Sequence, residues 1–150
     1  MSLVRKMKLS RILCNPLLSG VASGPALVTS QPICFWGGLD PKTGTITERG
    51  HELKGQNVAG TVFVFPTGKG SSTTSAILLE SVRCGTAPAA IVNLKTEPVL
   101  VIGAIIAEKL YDRVIPIVDT PEQNPIEVIK SGEWVEVNAG ETQGVIQFHR

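Results

Sequence analysis

The sequence predicts a mixed α/β fold in one domain, and three observations support this prediction. Its 150 residues suit a single compact domain, which at this length buries roughly 70% of its unfolded surface without help from metals or disulfides. The middle of the chain has the order strand, Gly/Ser-rich loop, helix, strand, which is typical of a βαβ unit. Near the end, two apolar segments flank a glycine-containing turn, as in a β-hairpin.

The first third of the chain is predicted to be rich in turns. Between residues 9 and 30 the apolar segments are short and interrupted by glycine and proline, so Ala26–Val28 is the best strand candidate there. Paired glycines, which permit positive φ, and the Asp-Pro and Thr-Gly pairs predict a loop at Phe35–Gly44. A short strand is expected at Thr45–Thr47.

The βαβ unit occupies the middle third. Val58–Phe65 is rich in branched and aromatic residues and predicts a buried strand. The polar loop Thr67–Ser75 leads into an apolar helical face in Ala76–Arg83, and Gly85 is the expected end of that helix. Ala89–Leu94 predicts the second strand.

The last third continues the alternation. Val99–Ala107 predicts a short helix and Val114–Val118 another strand. An apolar segment at Ile126–Lys130 then precedes the expected hairpin, whose strands are Trp134–Val137 and Gly144–Phe148.

Composition excludes several classes of function. Lysine and arginine number 14 against 13 acidic residues, a net charge of +1, which argues against nucleic acid or an anionic membrane as the main partner. No apolar run approaches the ~20 residues of a membrane helix. The three cysteines, Cys14, Cys34 and Cys84, are scattered, which fits a reducing compartment and predicts no metal site.

The N-terminus is basic and has no acidic residue before Asp40. It lacks the apolar stretch of a secretory signal and the long Arg-rich amphipathic repeat of a transit peptide. Residues 1–8 are therefore predicted to be a flexible end, residues 9–150 the folded domain, and the cytoplasm the location.

The strongest functional signal is the loop Gly68–Ser75. A Gly-rich loop between a strand and a helix points backbone N–H groups at a bound anion, and its five consecutive hydroxyls add donors and acceptors. It is not a P-loop, because Phe63 stands where the first glycine belongs and Gly70 follows the lysine. Simple N-capping of the helix is the alternative, although a cap needs only one hydroxyl.

Two further segments have less specific patterns. The Phe35–Gly44 loop either carries Trp36 into the core, the favoured interpretation, or uses its aromatic pair to line a pocket or contact a partner. Asn93–Pro98 places an acid and a base at a strand end, and a solvated loop is favoured there. Neither His51 nor His149 has the context of a catalytic triad. The incomplete acid–base set suggests a subunit that completes the active site of another chain.

Five segments of the chain have a characteristic sequence and spacing: Pro32–Gly44, Gly60–Pro66, Gly68–Ser72, Ala87–Val92 and Gly103–Ile106. Together they resemble the small subunit of aconitase X, a dehydratase branch of the aconitase superfamily, from about residue 9 to the end. The resemblance implies the swivelling β/β/α three-layer fold of aconitase domain 4, which closes over a large subunit.

The resemblance also implies site residues and a partner. Ser71 would be the catalytic base that removes a proton from carbon, with Gly70, Ser72 and Thr73 contacting the substrate. Thr73 stands where aconitase itself has a substrate-binding arginine, so citrate is not the expected substrate. The large subunit would hold the iron–sulfur cluster, and this chain would hold no metal.

The resemblance allows two substrates. Bacterial members dehydrate cis-3-hydroxy-L-proline and archaeal members mevalonate 5-phosphate. The Asn93–Pro98 segment and the chain ends favour the first, and mevalonate 5-phosphate is the alternative.

Two functions of another class stay open. Swivelling phosphohistidine carriers share the β/β/α design and the ending Gly132–Val137, but no histidine lies in the Gly/Ser loop as they require. A ligand-binding domain without catalysis is the other possibility.

Overall fold

The computed structural model describes residues 8–149, and it confirms a mixed α/β fold. The predicted flexible end lies outside these residues apart from Lys8, so that prediction and the domain boundary at residue 9 stay untested. In this part of the chain no helix is long and apolar enough to cross a membrane. The elements in chain order are β1 (Leu9–Leu18), β2 (Gly20–Val28), α1 (Phe35–Gly38), β3 (Val62–Phe65), α2 (Thr74–Cys84), β4 (Ala90–Asn93), α3 (Pro98–Tyr111), β5 (Ile117–Asp119), α4 (Pro125–Val128), β6 (Trp134–Ala139) and β7 (Gly144–His149).

The seven strands form a closed barrel in the order β1-β5-β4-β3-β2-β6-β7. Strands β2, β3, β4 and β5 are parallel neighbours, whereas β6 and β7 form an antiparallel hairpin that pairs with β2 and β1. The two long strands, β1 and β2, join the two halves of the barrel. The first part of each strand pairs with the β6–β7 hairpin. The last part of β1 pairs with β5, antiparallel, and the last part of β2 pairs with β3, parallel.

Two apolar cores separate three layers. Along β3, Val62 and Val64 pack between the two halves of the barrel, and Phe63 and Phe65 pack toward the helices. A central parallel strand is buried on both faces in this way, which explains its uninterrupted apolar sequence. Leu78 of α2 and Leu100 of α3 belong to the core on the helical side. The layers are therefore sheet, sheet and helix.

The prediction for residues 9–30 is wrong in extent. Instead of short pieces, the chain forms two strands of 10 and 9 residues. Glycine and proline are tolerated because these strands bend from one half of the barrel into the other. A bulge follows Pro16, and a Cβ on Gly24 would lie 2.4 Å from the carbonyl oxygen of Gly60, so only glycine fits at that bend.

The predicted strand Thr45–Thr47 is also wrong. The segment makes only isolated bridges, between Leu39 and Ile46 and between Thr45 and Asn57. Tight turns on both sides make it too short to enter the barrel. The βαβ unit and the hairpin are confirmed, with α2 ending at Gly85 in the left-handed conformation (φ 73°).

Candidate active site

The two glycine-rich loops that the sequence singles out lie side by side. Ile33, which precedes the first loop, forms a parallel bridge with Gly68 of the second. The N–H of Lys69 donates to the carbonyl of Ile33 at 2.9 Å. At the other end of the second loop, a Cβ on Gly103 would lie 2.8 Å from Cα of Ser75, so helix α3 packs directly on the start of α2. The Gly68–Ser75 loop is thus anchored at both ends.

Glu48 connects the two loops. Its carboxylate accepts a hydrogen bond from the N–H of Cys34 at 2.7 Å and pairs with the Lys69 ammonium at 3.1 Å. Burial raises the pKa of Glu48, but the Cys34 N–H and Lys69 together outweigh burial, so the pKa lies below its ordinary value of 4.5. The charged form of Glu48 therefore holds the loops together.

We expect Glu48→Gln to reduce stability in a pH-dependent way. Because the folded-state pKa is lowered, the charge contributes stability fully above pH 4.5 and loses it as the pH falls through the folded value. Lys69 is 54% exposed, so the loss at neutral pH is only about 1 kcal/mol, or ~2–4 °C in Tm. Thermal unfolding of both proteins from neutral to about pH 3 tests this. A Tm difference that does not shrink in acid contradicts it.

The interpretation that Trp36 packs into the core is wrong. Trp36 is 61% exposed, whereas its neighbour Phe35 is 1% exposed and stacks near Phe65 with ring centroids 6.1 Å apart. The backbone leaves helical geometry at Trp36 (ψ 113°), and Gly37 is left-handed (φ 77°), which turns the indole outward. The surface beside the Gly68–Ser75 loop therefore presents a large aromatic side chain.

Ser71 is half-buried and its hydroxyl is tightly held. Its Oγ accepts a hydrogen bond from the N–H of Thr73 at 3.2 Å, and the Ser71 and Thr73 hydroxyls hydrogen-bond to each other. Helix α2 begins at Thr74, and within the described chain Thr73 makes no side-chain cap hydrogen bond. The Thr73 hydroxyl thus pairs with Ser71 Oγ and does not cap α2.

The other predicted site residues flank Ser71. Gly70 and Ser72 are exposed, and the Ser72 carbonyl accepts a hydrogen bond from the Ser75 hydroxyl at 3.2 Å. Thr73 is half-buried with its hydroxyl on Ser71. The Thr73 N–H donates to Ser71 Oγ, and the Thr73 hydroxyl is placed so that it can donate to an alkoxide there. Because such donors favour the negative form of an oxygen, this arrangement suits an alkoxide at Ser71.

We expect Thr73→Val to lower kcat about tenfold to a hundredfold in a reaction that uses the Ser71 alkoxide, since one hydrogen bond to a charged group contributes ~1.5–3 kcal/mol. Valine keeps the shape and the backbone N–H but removes the hydroxyl. Thr73→Ser, which restores the hydroxyl, is the matched control. Equal kcat values for Thr73→Val and Thr73→Ser in steady-state kinetics would contradict the role of the Thr73 hydroxyl.

The interpretation of Asn93–Pro98 as a solvated loop is wrong for Asn93 and Thr96, whereas Lys95 and Pro98 are exposed. Asn93 and Thr96 are buried, with the Thr96 hydroxyl donating to Asn93 Oδ1 at 3.0 Å and the Thr96 N–H donating to Asp119 Oδ2 at 2.9 Å. Glu97 directly follows Thr96 in this network. Its side chain lies next to the glycine loop, where a Cβ on Gly68 would lie 2.9 Å from Glu97 Oε2.

The position of Glu97 escaped sequence reasoning, although one signal was available. The carboxyl ends of neighbouring parallel strands meet at one edge of a sheet. The loops that follow β3 and β4 therefore had to meet, and these are the loops that contain Gly68 and Glu97.

The described residues do not fit a metal cluster. Residues 8–149 contain no group of three or more His, Cys, Asp or Glu side chains that could hold a metal ion, and the three cysteines are unpaired. Burial, with Asp119 and Glu122 nearby, raises the pKa of the Cys14 thiol to about 12. Cys14 is therefore a buried, neutral thiol in this chain.

The chain is similar to known proteins along most of its length. The family model of the aconitase X swivel domain matches residues 11–148. A phosphomevalonate dehydratase small subunit from Methanocella arvoryzae is 48% identical over 132 residues, which cover 88% of this chain and 94% of that protein.

Two solved structures are similar along nearly the whole chain. Aconitase X from Thermococcus kodakaraensis, in its holo-form, has a TM-score of 0.80 at 32% identity, covering 91% of this chain and 98% of that one. The solution NMR structure of a UPF0107 protein has a TM-score of 0.78 at 41% identity, covering 90% and 97%. These matches confirm the predicted swivel-domain fold.

Proposed function

Because this chain belongs to the aconitase X swivel domain family and is the small subunit of an aconitase X-type dehydratase, we propose that it brings a serine base to a hydro-lyase acting on mevalonate 5-phosphate. The observation that carries this proposal is the Ser71 hydroxyl, held by the N–H and hydroxyl of Thr73 on an anchored loop. In the reaction, the hydroxy acid loses water to give an α,β-unsaturated acid.

Mevalonate 5-phosphate, the alternative of the sequence analysis, is the better supported substrate. The relative from Methanocella arvoryzae is named for phosphomevalonate and matches nearly its full length. Neither the comparisons nor the structure supports the preference for cis-3-hydroxy-L-proline. Part of that preference came from the Asn93–Pro98 segment, which packs beneath the glycine loop and so carries no information about the substrate.

The residues of this chain have defined roles in the proposed reaction. Ser71, as alkoxide, takes a proton from the carbon beside the substrate carboxylate, and the proton ends on Ser71 Oγ. Thr73 stabilises the alkoxide before the transfer. Gly70 and Ser72 are exposed on either side of Ser71 and contact the substrate with their N–H and hydroxyl groups, next to the N-terminus of α2, which favours anions.

The large subunit supplies the rest of the active site. We assign to it the iron–sulfur cluster that the family implies, because the described residues of this chain do not fit one. It docks on the face formed by the two glycine-rich loops, where Trp36 is exposed. Aromatic side chains are enriched in such interfaces. We place the complex in the cytoplasm, as the scattered cysteines predict.

The test is an assay of the complete complex of this chain with its large subunit. Mevalonate 5-phosphate and cis-3-hydroxy-L-proline are supplied separately, and loss of water is followed by mass spectrometry. We expect turnover of mevalonate 5-phosphate, with a kcat/KM at least about a hundredfold above that of the proline derivative, because a site built for a phosphate leaves polar groups unpaired without it. Turnover of the proline derivative alone would refute the substrate, and turnover of neither would refute the function.

A further inference from the structure

The Glu97 carboxylate lies next to Gly68 and Gly70, the two glycines of the loop segment that precedes Ser71. A Cβ on Gly68 would lie 2.9 Å from Oε2, and one on Gly70 would lie 3.4 Å from Oε1. The two oxygens thus lie next to the glycines on either side of Lys69. Gly68 does not have a left-handed backbone, so a side chain at this position would displace the Glu97 carboxylate rather than strain the backbone.

Glu97 is itself held in a fixed position. It lies between Thr96, whose N–H is bound to the buried Asp119, and Pro98, the first residue of α3. Proline at this position fixes φ and suits the first turn of a helix. The backbone at Glu97 is therefore held by its neighbours at the ends of two strands and one helix.

The surroundings of Glu97 suit a function better than packing alone. Its Oε2 is buried and has no hydrogen-bond partner among the described residues. A carboxylate oxygen enclosed without a donor is costly, and a neutral side chain of the same size would fill the space at lower cost.

We propose that Glu97 is a positioning residue with a seating role: its carboxylate holds the Gly68–Ser71 segment in place. Ser71 Oγ then lies where it can take the proton from the substrate carbon. This inference rests on the proposed function of Ser71. Glu97 acts through the loop backbone, because its carboxylate lies next to Gly68 and Gly70 and Ser71 directly follows Gly70. A displacement of about 1 Å at a reacting group costs up to ~10²-fold in rate.

The first experiment measures kinetics of the complete complex. We expect Glu97→Ala to lower kcat by about 10²-fold while KM changes less than about threefold, because substrate contacts remain and the base is misplaced. Glu97→Gln keeps the shape and should retain at least about a third of kcat. Glu141→Ala, in the exposed β6–β7 turn at the opposite end of the barrel, is the control and should be unchanged.

A second pair of variants tests the contact itself. Gly68→Ala should lower kcat as Glu97→Ala does, because its Cβ meets Oε2. In the double variant Gly68→Ala/Glu97→Asp, kcat should be at least about tenfold higher than in Gly68→Ala alone. Aspartate is one methylene shorter and leaves room for the new Cβ, and neighbouring residues are expected to be coupled in this way. An equal loss of kcat for Gly68→Ala with and without Glu97→Asp would overturn the proposal. The proposal would also fail if Glu97→Ala kept more than half of the wild-type kcat or changed only KM.

NMR of the free small subunit separates this inference from the proposed function. In ¹⁵N spectra of the full chain, we expect Glu97→Ala to shift the amide signals of Gly68, Gly70 and Ser71, and Glu141→Ala to leave them in place. Unmoved loop signals would overturn the seating role whatever the role of Ser71. If the signals move but Ser71→Ala remains active, the seating stands and Ser71 as base fails.

Discussion

Ser71→Ala in the complete complex is expected to lower kcat by at least ~10²–10⁴-fold, the contribution of a general base. The reason is that Ser71 Oγ is hydrogen-bonded by both the N–H and the hydroxyl of Thr73. Stability should change little, since the loop remains anchored by the Ile33 bridge and by the packing of Gly103 on Ser75. Steady-state kinetics and thermal unfolding of the same preparation measure both effects.

Ser72→Ala is the matched control for this substitution. Ser72 is exposed next to Ser71 and should lose only part of the activity. If Ser71 served merely to organise the helix start, its loss would cost about 1 kcal/mol, or ~2–4 °C in Tm, with little kinetic effect. A Ser71→Ala complex that keeps more than about a tenth of kcat would rule Ser71 out as the base.

Omitting the large subunit is expected to abolish turnover completely. The described residues lack a group of side chains that could hold a metal ion, and release of the hydroxyl group is assigned to the large subunit. The measurement is dehydration of mevalonate 5-phosphate by the purified chain alone, with restoration on adding the large subunit as control. Any turnover by the chain alone that scales with its concentration would refute the division of labour.

The parts of the fold that depend on local pattern could be predicted from the sequence. Val62–Phe65 is apolar at every position because it is buried on both faces, and Gly85 ends α2 because it adopts a left-handed φ. The long strands β1 and β2 could not be predicted, because they exist by pairing with β7 and β6 far along the chain. Local signals from glycine and proline at 20, 24 and 25 suggest interruptions that tertiary pairing overrides.

The candidate site divides in the same way. The Gly68–Ser75 loop was evident because glycine and hydroxyl residues are concentrated there, and Ser71 came from the family resemblance. Trp36 was misplaced because an aromatic residue beside glycines is compatible with either direction, and a single turn at Gly37 decides it. The position of Glu97 beside Gly68 was missed because the two residues are far apart in the sequence and are brought together only by the parallel strands.

Hydrogen exchange at the substrate carbon tests the central claim, that this chain supplies the base, most directly. The complete complex is incubated in D₂O with the α,β-unsaturated acid, and NMR follows deuterium entering the carbon beside the carboxylate as mevalonate 5-phosphate forms. With the wild-type chain, one deuterium should enter at each turnover, and with Ser71→Ala the incorporation should fall by at least ~10²-fold together with turnover. Incorporation by the Ser71→Ala complex within about tenfold of the wild-type rate would contradict the account, because another group would then be moving the proton.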